Sequence, residues 1–284
     1  MNFLKLVLSS LYIIILCQCN LINPEEEFPS YLYIDTISLN TIVATQGSNS
    51  HKITDAIVYV KGEFWGIYEL PAKILYFGND STRIIVQPGI KENGNSFKRV
   101  AYPFYTTFIQ KVWAAPLHID TLDISTSYTP STVFLFNETF DAGNILEAED
   151  NHAPVEIETD PVNVLEGGRC VKMTMDTSFP IGVMRTISTY TLDANSVLDL
   201  YLEMNYRSET DMDIYFMGII GSTVIQTYKV TIPDRDHWNK IYINFTPELL
   251  SIRPDQFRIS INADHDVENT STTIWIDNMK MVYQ

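Results

Sequence analysis

Cationic residues are scarce: the 284-residue chain holds 19 Lys plus Arg against 35 Asp plus Glu, a formal charge of −16. A surface of that sign repels phosphate backbones, which excludes nucleic acid as a partner. Cysteine is scarcer still, with three in all, and only Cys170 lies beyond residue 19. One thiol cannot close an intramolecular disulfide, so stability must come from the core, which a chain of this length can build. Cys170 alternates with charged neighbours in Arg169-Cys170-Val171-Lys172 and reads as a buried strand residue, not a reactive thiol. Catalytic signatures are missing too: there is no Gly-x-Ser-x-Gly elbow, His-Glu-x-x-His, phosphate loop, Cys-x-x-Cys or EF-hand loop. The five histidines are scattered, and carboxylate pairs such as Asp211 with Asp213 are expected by chance among so many acids. Beyond residue 16 no apolar run is long enough to cross a bilayer as a helix.

What is present begins with Met1 to Asn20, where one cation, Lys5, precedes an apolar run from Leu6 to Leu16 and then Leu16-Cys17-Gln18-Cys19. This stretch resembles the signal of bacterial lipoproteins, in which a leucine three residues before a cysteine marks cleavage and acylation. The resemblance implies a signal peptide over residues 1–18 and a lipid anchor on Cys19 that holds the protein to a membrane. Gln18 stands where the family has a small residue, and Cys17 would place bulky Leu16 at the cut. The alternative is a plain secreted protein. Residues 19–30 form an acidic tether with two prolines and Glu25, Glu26 and Glu27. Acids after the acylated cysteine resemble the surface-export signal of Bacteroidetes lipoproteins. That implies a bacterial outer-membrane protein facing outward.

Aromatic and β-branched residues dominate the rest, and the pattern predicts an all-β protein: a small Greek-key β-sandwich over residues 31–125, a linker over 126–132, and a larger jelly-roll β-sandwich over 133–284. In the first domain Tyr31 to Asn40 alternates as one strand, with Ile37 and Leu39 on one face and Leu32 and Ile34 on the other. Ala56 to Val60 and Glu63 to Leu70 flank a tight turn at Lys61-Gly62. The hairpin followed by a strand ending in Pro88-Gly89 resembles the transthyretin-like and PEGA-type sandwiches, which serve as spacers or protein-contact modules. Trp65, Trp113 and Tyr102 are assigned to the core in preference to a binding platform.

The second domain opens with Phe136-Asn-Glu138-Thr-Phe140. It carries a Gly167-Gly168 turn into an alternating strand and a Trp238-Asn-Lys-Ile strand, and it closes on Ile274-Trp-Ile-Asp-Asn-Met-Lys-Met-Val-Tyr283. Together these resemble the galactose-binding-like jelly rolls, a fold shared by many carbohydrate-binding modules, in which the last strand pairs with the first and its Asp-Asn turns the chain. The resemblance implies a structural calcium ion held by Glu138 and Asp277. It also implies sugar binding through aromatic side chains, with Tyr206, Tyr215 and Trp238 the candidates, although Trp238 and Trp275 sit at strand positions that normally point inward. The expected function is that of a non-catalytic, lipid-anchored envelope protein that binds a polysaccharide. The alternatives are a spacer or contact subunit for another envelope protein, and a secreted glycan-active enzyme.

Overall fold

The computed structural model describes residues 29–77, 81–113, 115 and 117–284. The signal peptide, Cys19 and nearly all of the acidic tether lie outside the described residues. The protein is all-β, two sandwiches in tandem.

The first sandwich is built from β1 (Ser30–Ile34), β2 (Ile37–Asn40), β3 (Asp55–Val60), β4 (Glu63–Glu69), β5 (Ala72–Tyr76), β6 (Ser81–Lys91), β7 (Arg99–Ala101), β8 (Phe108–Trp113), β9 (Ile119–Thr121) and β10 (Ile124–Ser127), with one short helix, α1 (Val43–Gln46). One layer comprises β5-β1-β9 and β10-β2; the other is β4-β3-β6-β7 with β8 also on β6. The stretch expected as one strand is two. It breaks at Asp35-Thr36, so Leu32, Ile34, Ile37 and Leu39 are all buried, where unbroken alternation would put the two pairs on opposite faces. The Lys61-Gly62 turn is as expected, both residues having positive φ. On the outer side of the second layer, Phe64, Tyr59, Ile85 and Ile109 fall in one cross-strand row, and Phe64 and Ile109 are 60% and 54% exposed. Trp113 and Trp65 are exposed as well, contrary to their assignment to the core: Trp113 shares the uncovered face of Ile109 on edge strand β8, and Trp65 sits in a bulge of β4 with its indole N–H on the Leu75 carbonyl at 2.8 Å.

The second sandwich contains β11 (Val133–Glu138), β12 (Leu146–Ala148), β13 (Val155–Glu158), β14 (Cys170–Asp176), β15 (Ile181–Thr186), β16 (Leu200–Ser208), β17 (Met212–Ile220), β18 (Thr223–Ile232), β19 (Arg235–Asn244), a helix α2 (Thr246–Ile252), β20 (Gln256–Asp264) and β21 (Ser271–Tyr283). A six-stranded sheet runs β13-β14-β21-β16-β19, with β11 also on β21, and a five-stranded sheet runs β12-β15-β20-β17-β18. The long last strand organises the first of these. Its first half pairs with β14 and its second half with β11, while β16 lies along its other edge. The change of partner coincides with a bulge at Asn278, whose φ of 49° is a conformation asparagine tolerates. Asp277-Asn278 therefore kinks the strand in mid-sheet and does not turn the chain. Between the sheets pack residues such as Met173, Met204, Ile214, Phe216, Phe257, Ile274 and Ile276. Cys170 is buried on β14, and burial pushes its thiol up to about 12, so it stays protonated.

The two sandwiches share a third core. Ile90, Tyr102, Phe104 and Tyr105 from the first, Tyr128 from the connection, and Tyr201, Tyr242 and Val282 from the second form one buried cluster. The Tyr102 ring lies 4.7 Å from Tyr105, 4.8 Å from Tyr242 and 5.4 Å from Tyr201. The segment expected as a linker, 126–132, is part of this contact, since it begins inside β10 and buries Thr126 and Tyr128.

Candidate functional site

Docking creates a cleft. Strand β19 is the free edge of the six-stranded sheet, and the loop after β6 reaches across to it. Asn93 N–H donates to the Tyr242 carbonyl at 2.8 Å, Asn244 N–H donates to Asn93 Oδ1 at 2.8 Å, and Asn244 Nδ2 donates to Glu92 Oε1 at 2.9 Å. Asn93 and Gly94 both hold positive φ, the conformation that lets this loop fold back on itself. Only the Tyr242 end of β19 is covered in this way. Toward Asn239 the strand faces a cavity of about 310 Å³, walled by Val230 to Pro233 on one side and by Lys52, Thr54, Lys91 and Asn93 to Asn95 on the other.

The polar lining is connected. Lys52 N–H donates to Tyr242 Oη at 3.0 Å, Lys52 Nζ donates to Asn239 Oδ1, and Asn239 Nδ2 donates to Tyr206 Oη at 2.8 Å. Lys91 Nζ is tied to Glu69 at 2.9 Å, and Arg235 sits exposed at the rim. Burial, and after it the positive charges of Arg235 and Lys91, hold the Lys52 amine below the usual lysine value. No aspartate or glutamate lines this cavity.

Behind the cleft, Lys240, Asn205 and Asp277 stand opposite one another on three adjacent strands, all on the face turned away from the core. All three are buried, and Asn205 Oδ1 and Asp277 Oδ2 have no hydrogen-bond partner; Lys240 Nζ lies 3.4 Å from Glu203 Oε2. In the neighbouring row the Arg207 guanidinium lies 4.0 Å from the Trp275 ring centre and 6.0 Å from that of Trp238, and Asn163 Oδ1 accepts from it.

The three sugar-binding candidates fall in different places. Tyr206 reaches the cleft through its hydroxyl, its ring being 2% exposed and packed in the core. Trp238 and Trp275 lie on the outer face of the sheet with Arg207 between them, not inward, because the core positions of their strands are Ile241, Ile274 and Ile276. Tyr215 projects from the outer side of the five-stranded sheet into a cavity with Asp211, Asp213 and Asp264, which meets the cleft at Thr231. Reading by sequence missed Lys52, Lys91, Asn93, Arg235 and Asn239, which come from separate stretches and meet only because the sandwiches dock.

The two residues named for calcium lie on paired strands, β11 and β21. Glu138 Oε1 accepts the Phe140 N–H at 2.7 Å, and Glu138 faces Met279 across β21. The acidic neighbours of Asp277 are Glu166 and Asp141, and Asp141 Oδ1 accepts the Gly168 N–H. Among the described residues no group of three or more His, Cys, Asp or Glu is placed to hold a metal ion.

No family model matches the chain, and no curated protein does. Among solved structures, the chain is similar to the family 30 carbohydrate-binding module of the cellulosomal cellulase Cel9D-Cel44B of Clostridium thermocellum, at 18% identity and a TM-score of 0.34, over 53% of this chain and 96% of that one. A family 61 module solved with β-1,4-galactotriose matches at 11% identity and 0.34, over 51% of this chain and 94% of that one. The N-terminal carbohydrate-binding and catalytic modules of a Clostridium thermocellum xylanase match at 11% and 0.40, over 53% of this chain and 28% of that one. Likenesses this distant carry no statement about a ligand.

Proposed function

We propose that the chain is a non-catalytic glycan-binding protein whose ligand lies in the cleft between the sandwiches. One observation carries the reading: the polar residues Asn93, Asn95, Asn239, Thr54, Thr231 and Tyr206 line it beside an apolar wall of Val230, Ile232 and Pro233. A sugar ring presents that same mixture of hydroxyls and C–H faces, and domain junctions are where such pockets commonly form. With no carboxylate in the lining, the cleft supplies neither the acid nor the nucleophile of glycoside hydrolysis. In calorimetric titration across a polysaccharide panel, at least one glycan is expected to bind, and Asn239→Ala to weaken it about tenfold by breaking the Lys52 to Tyr206 chain. Binding that ignores this substitution, or release of shortened products, would remove the reading.

We also place the protein on a bacterial outer membrane, held by a lipid on Cys19 and facing outward, on the strength of its first 27 residues. A Cys19→Ala variant is expected to leave the membrane fraction for the soluble one. Full retention there would count against the anchor.

A further inference from the structure

We propose, resting on the glycan-binding reading, that the cleft takes acidic saccharides, those bearing carboxylate or sulfate, and that Lys52 and Arg235 select them. The chain is strongly acidic, and three other cavities of comparable size each carry aspartates: Asp193 and Asp255, Asp35 and Asp123, and Asp211, Asp213 and Asp264. The cleft inverts that pattern. Its lining brings Lys52, Lys91, Arg235 and Lys240 together from both sandwiches and contains no acid.

These cations are not equivalent. Lys240 faces Glu203, and Lys91 is paired with Glu69, so both are largely neutralised at the site. The Lys52 ammonium has a neutral partner, Asn239 Oδ1, and Arg235 and Lys91 destabilise its charge. An oxyanion between Lys52 and Arg235 would relieve that repulsion and accept charge-assisted hydrogen bonds, whereas a hydroxyl at the same point offers only a dipole. The surrounding negative surface sharpens the contrast, because a cationic cleft in such a field draws anions to itself.

The test is titration of the full chain, in detergent, with oligogalacturonate, alginate and chondroitin sulfate oligosaccharides, each beside its carboxyl-reduced or desulfated form, and with inorganic sulfate alone. At least one acidic oligosaccharide is expected to bind about tenfold or more tightly than its neutral form. Raising the salt should weaken it. Lys52→Gln and Arg235→Gln should each abolish most of the preference without changing the melting temperature, and Lys52→Arg should restore it. Neutral and acidic forms binding alike, with Lys52→Gln silent, would overturn the charge inference and leave glycan binding standing. Inorganic sulfate binding as tightly as any oligosaccharide would also overturn it, since the site would then be an anion site only. No saccharide binding at all would overturn the inference together with the reading beneath it.

Discussion

Glu203→Ala is expected to lower the unfolding free energy by about 3–5 kcal/mol, the range found when one partner of a buried charge network is removed. Glu203 sits on β16 with no exposed surface. Its carboxylate accepts the Tyr102 hydroxyl at 2.8 Å and the Tyr128 hydroxyl at 2.8 and 2.9 Å, and it lies 3.4 Å from Lys240 Nζ. One carboxylate thus joins the first sandwich, the connection and the second sandwich. Burial first, and the Glu203 charge after it, hold both tyrosines well above their usual pKa, so they remain donors. Alanine would strand two buried hydroxyls and leave Lys240 and Lys280 without the negative charge they face, although Lys280 keeps the Ser48 carbonyl at 2.6 Å. Denaturant unfolding measures the loss, and a change below about 1 kcal/mol would show that the network is not what couples the sandwiches.

The same network gives the loss a pH signature. Burial first, and repulsion from Lys240, push Lys280 down to about 8 even with Glu203 beside it. The unfolded chain keeps that proton until about pH 10.4. Between those limits the unfolded state binds more protons, so stability from this group rises with pH. Without the Glu203 charge that raises it, the folded Lys280 sheds its proton lower still. Once both proteins hold it neutral, its share of the Glu203→Ala deficit is gone, so the deficit should shrink from pH 7 to pH 10. A deficit that is constant across that range would detach Lys280 from the effect.

Much of the fold is legible because alternation is local. Thr223 to Val230, Gln256 to Asn262 and Thr272 to Tyr283 each read as a strand from their β-branched and aromatic residues, and each lies within one. Alternation reports two faces, however, and not what covers them. Glu203, Asn205, Lys240 and Lys280 fill the non-core positions of their strands, which ordinarily meet water, yet docking of the first sandwich buries all four. The break at Asp35-Thr36 is hidden for a related reason: both half-strands alternate correctly, and only burial tells that the phase slips between them. The cleft is the least legible part. Nothing local links Lys52, Lys91 and Arg235, and the one hint is negative, since so few cations in so acidic a chain make any cluster of them informative.

Asp277→Asn is expected to stabilise the protein at pH 8 and to do little at pH 4. Asp277 has no exposed surface; its Oδ1 accepts the Asn278 N–H at 2.8 Å and its Oδ2 has no partner. Burial is the main cause that pushes its carboxyl up to about 7, and the charges of Glu166 and Asp141 add to it, while Lys240 stands two strands away in the same row. Its unfolded value is near 3.9. Between about pH 4 and 7 the folded state therefore holds a proton that the unfolded chain has lost, and stability falls as pH rises through that window. Above it the charge must be buried or the fold must keep the proton, at a cost on the order of 3–4 kcal/mol, reckoned at about 1.4 kcal/mol per pKa unit. Asparagine mimics the protonated form, with an acceptor for Asn278 and a donor where the proton was, and it carries no charge at any pH. Melting curves should rise by roughly 10 °C at pH 8 and by no more than a degree or two at pH 4. Equal shifts at both values would mean that the gain comes from packing. A lower melting temperature at pH 8 would mean that Asp277 is charged there and satisfied, which would place a cation, Lys240 or a bound ion, against the oxygen that now stands alone.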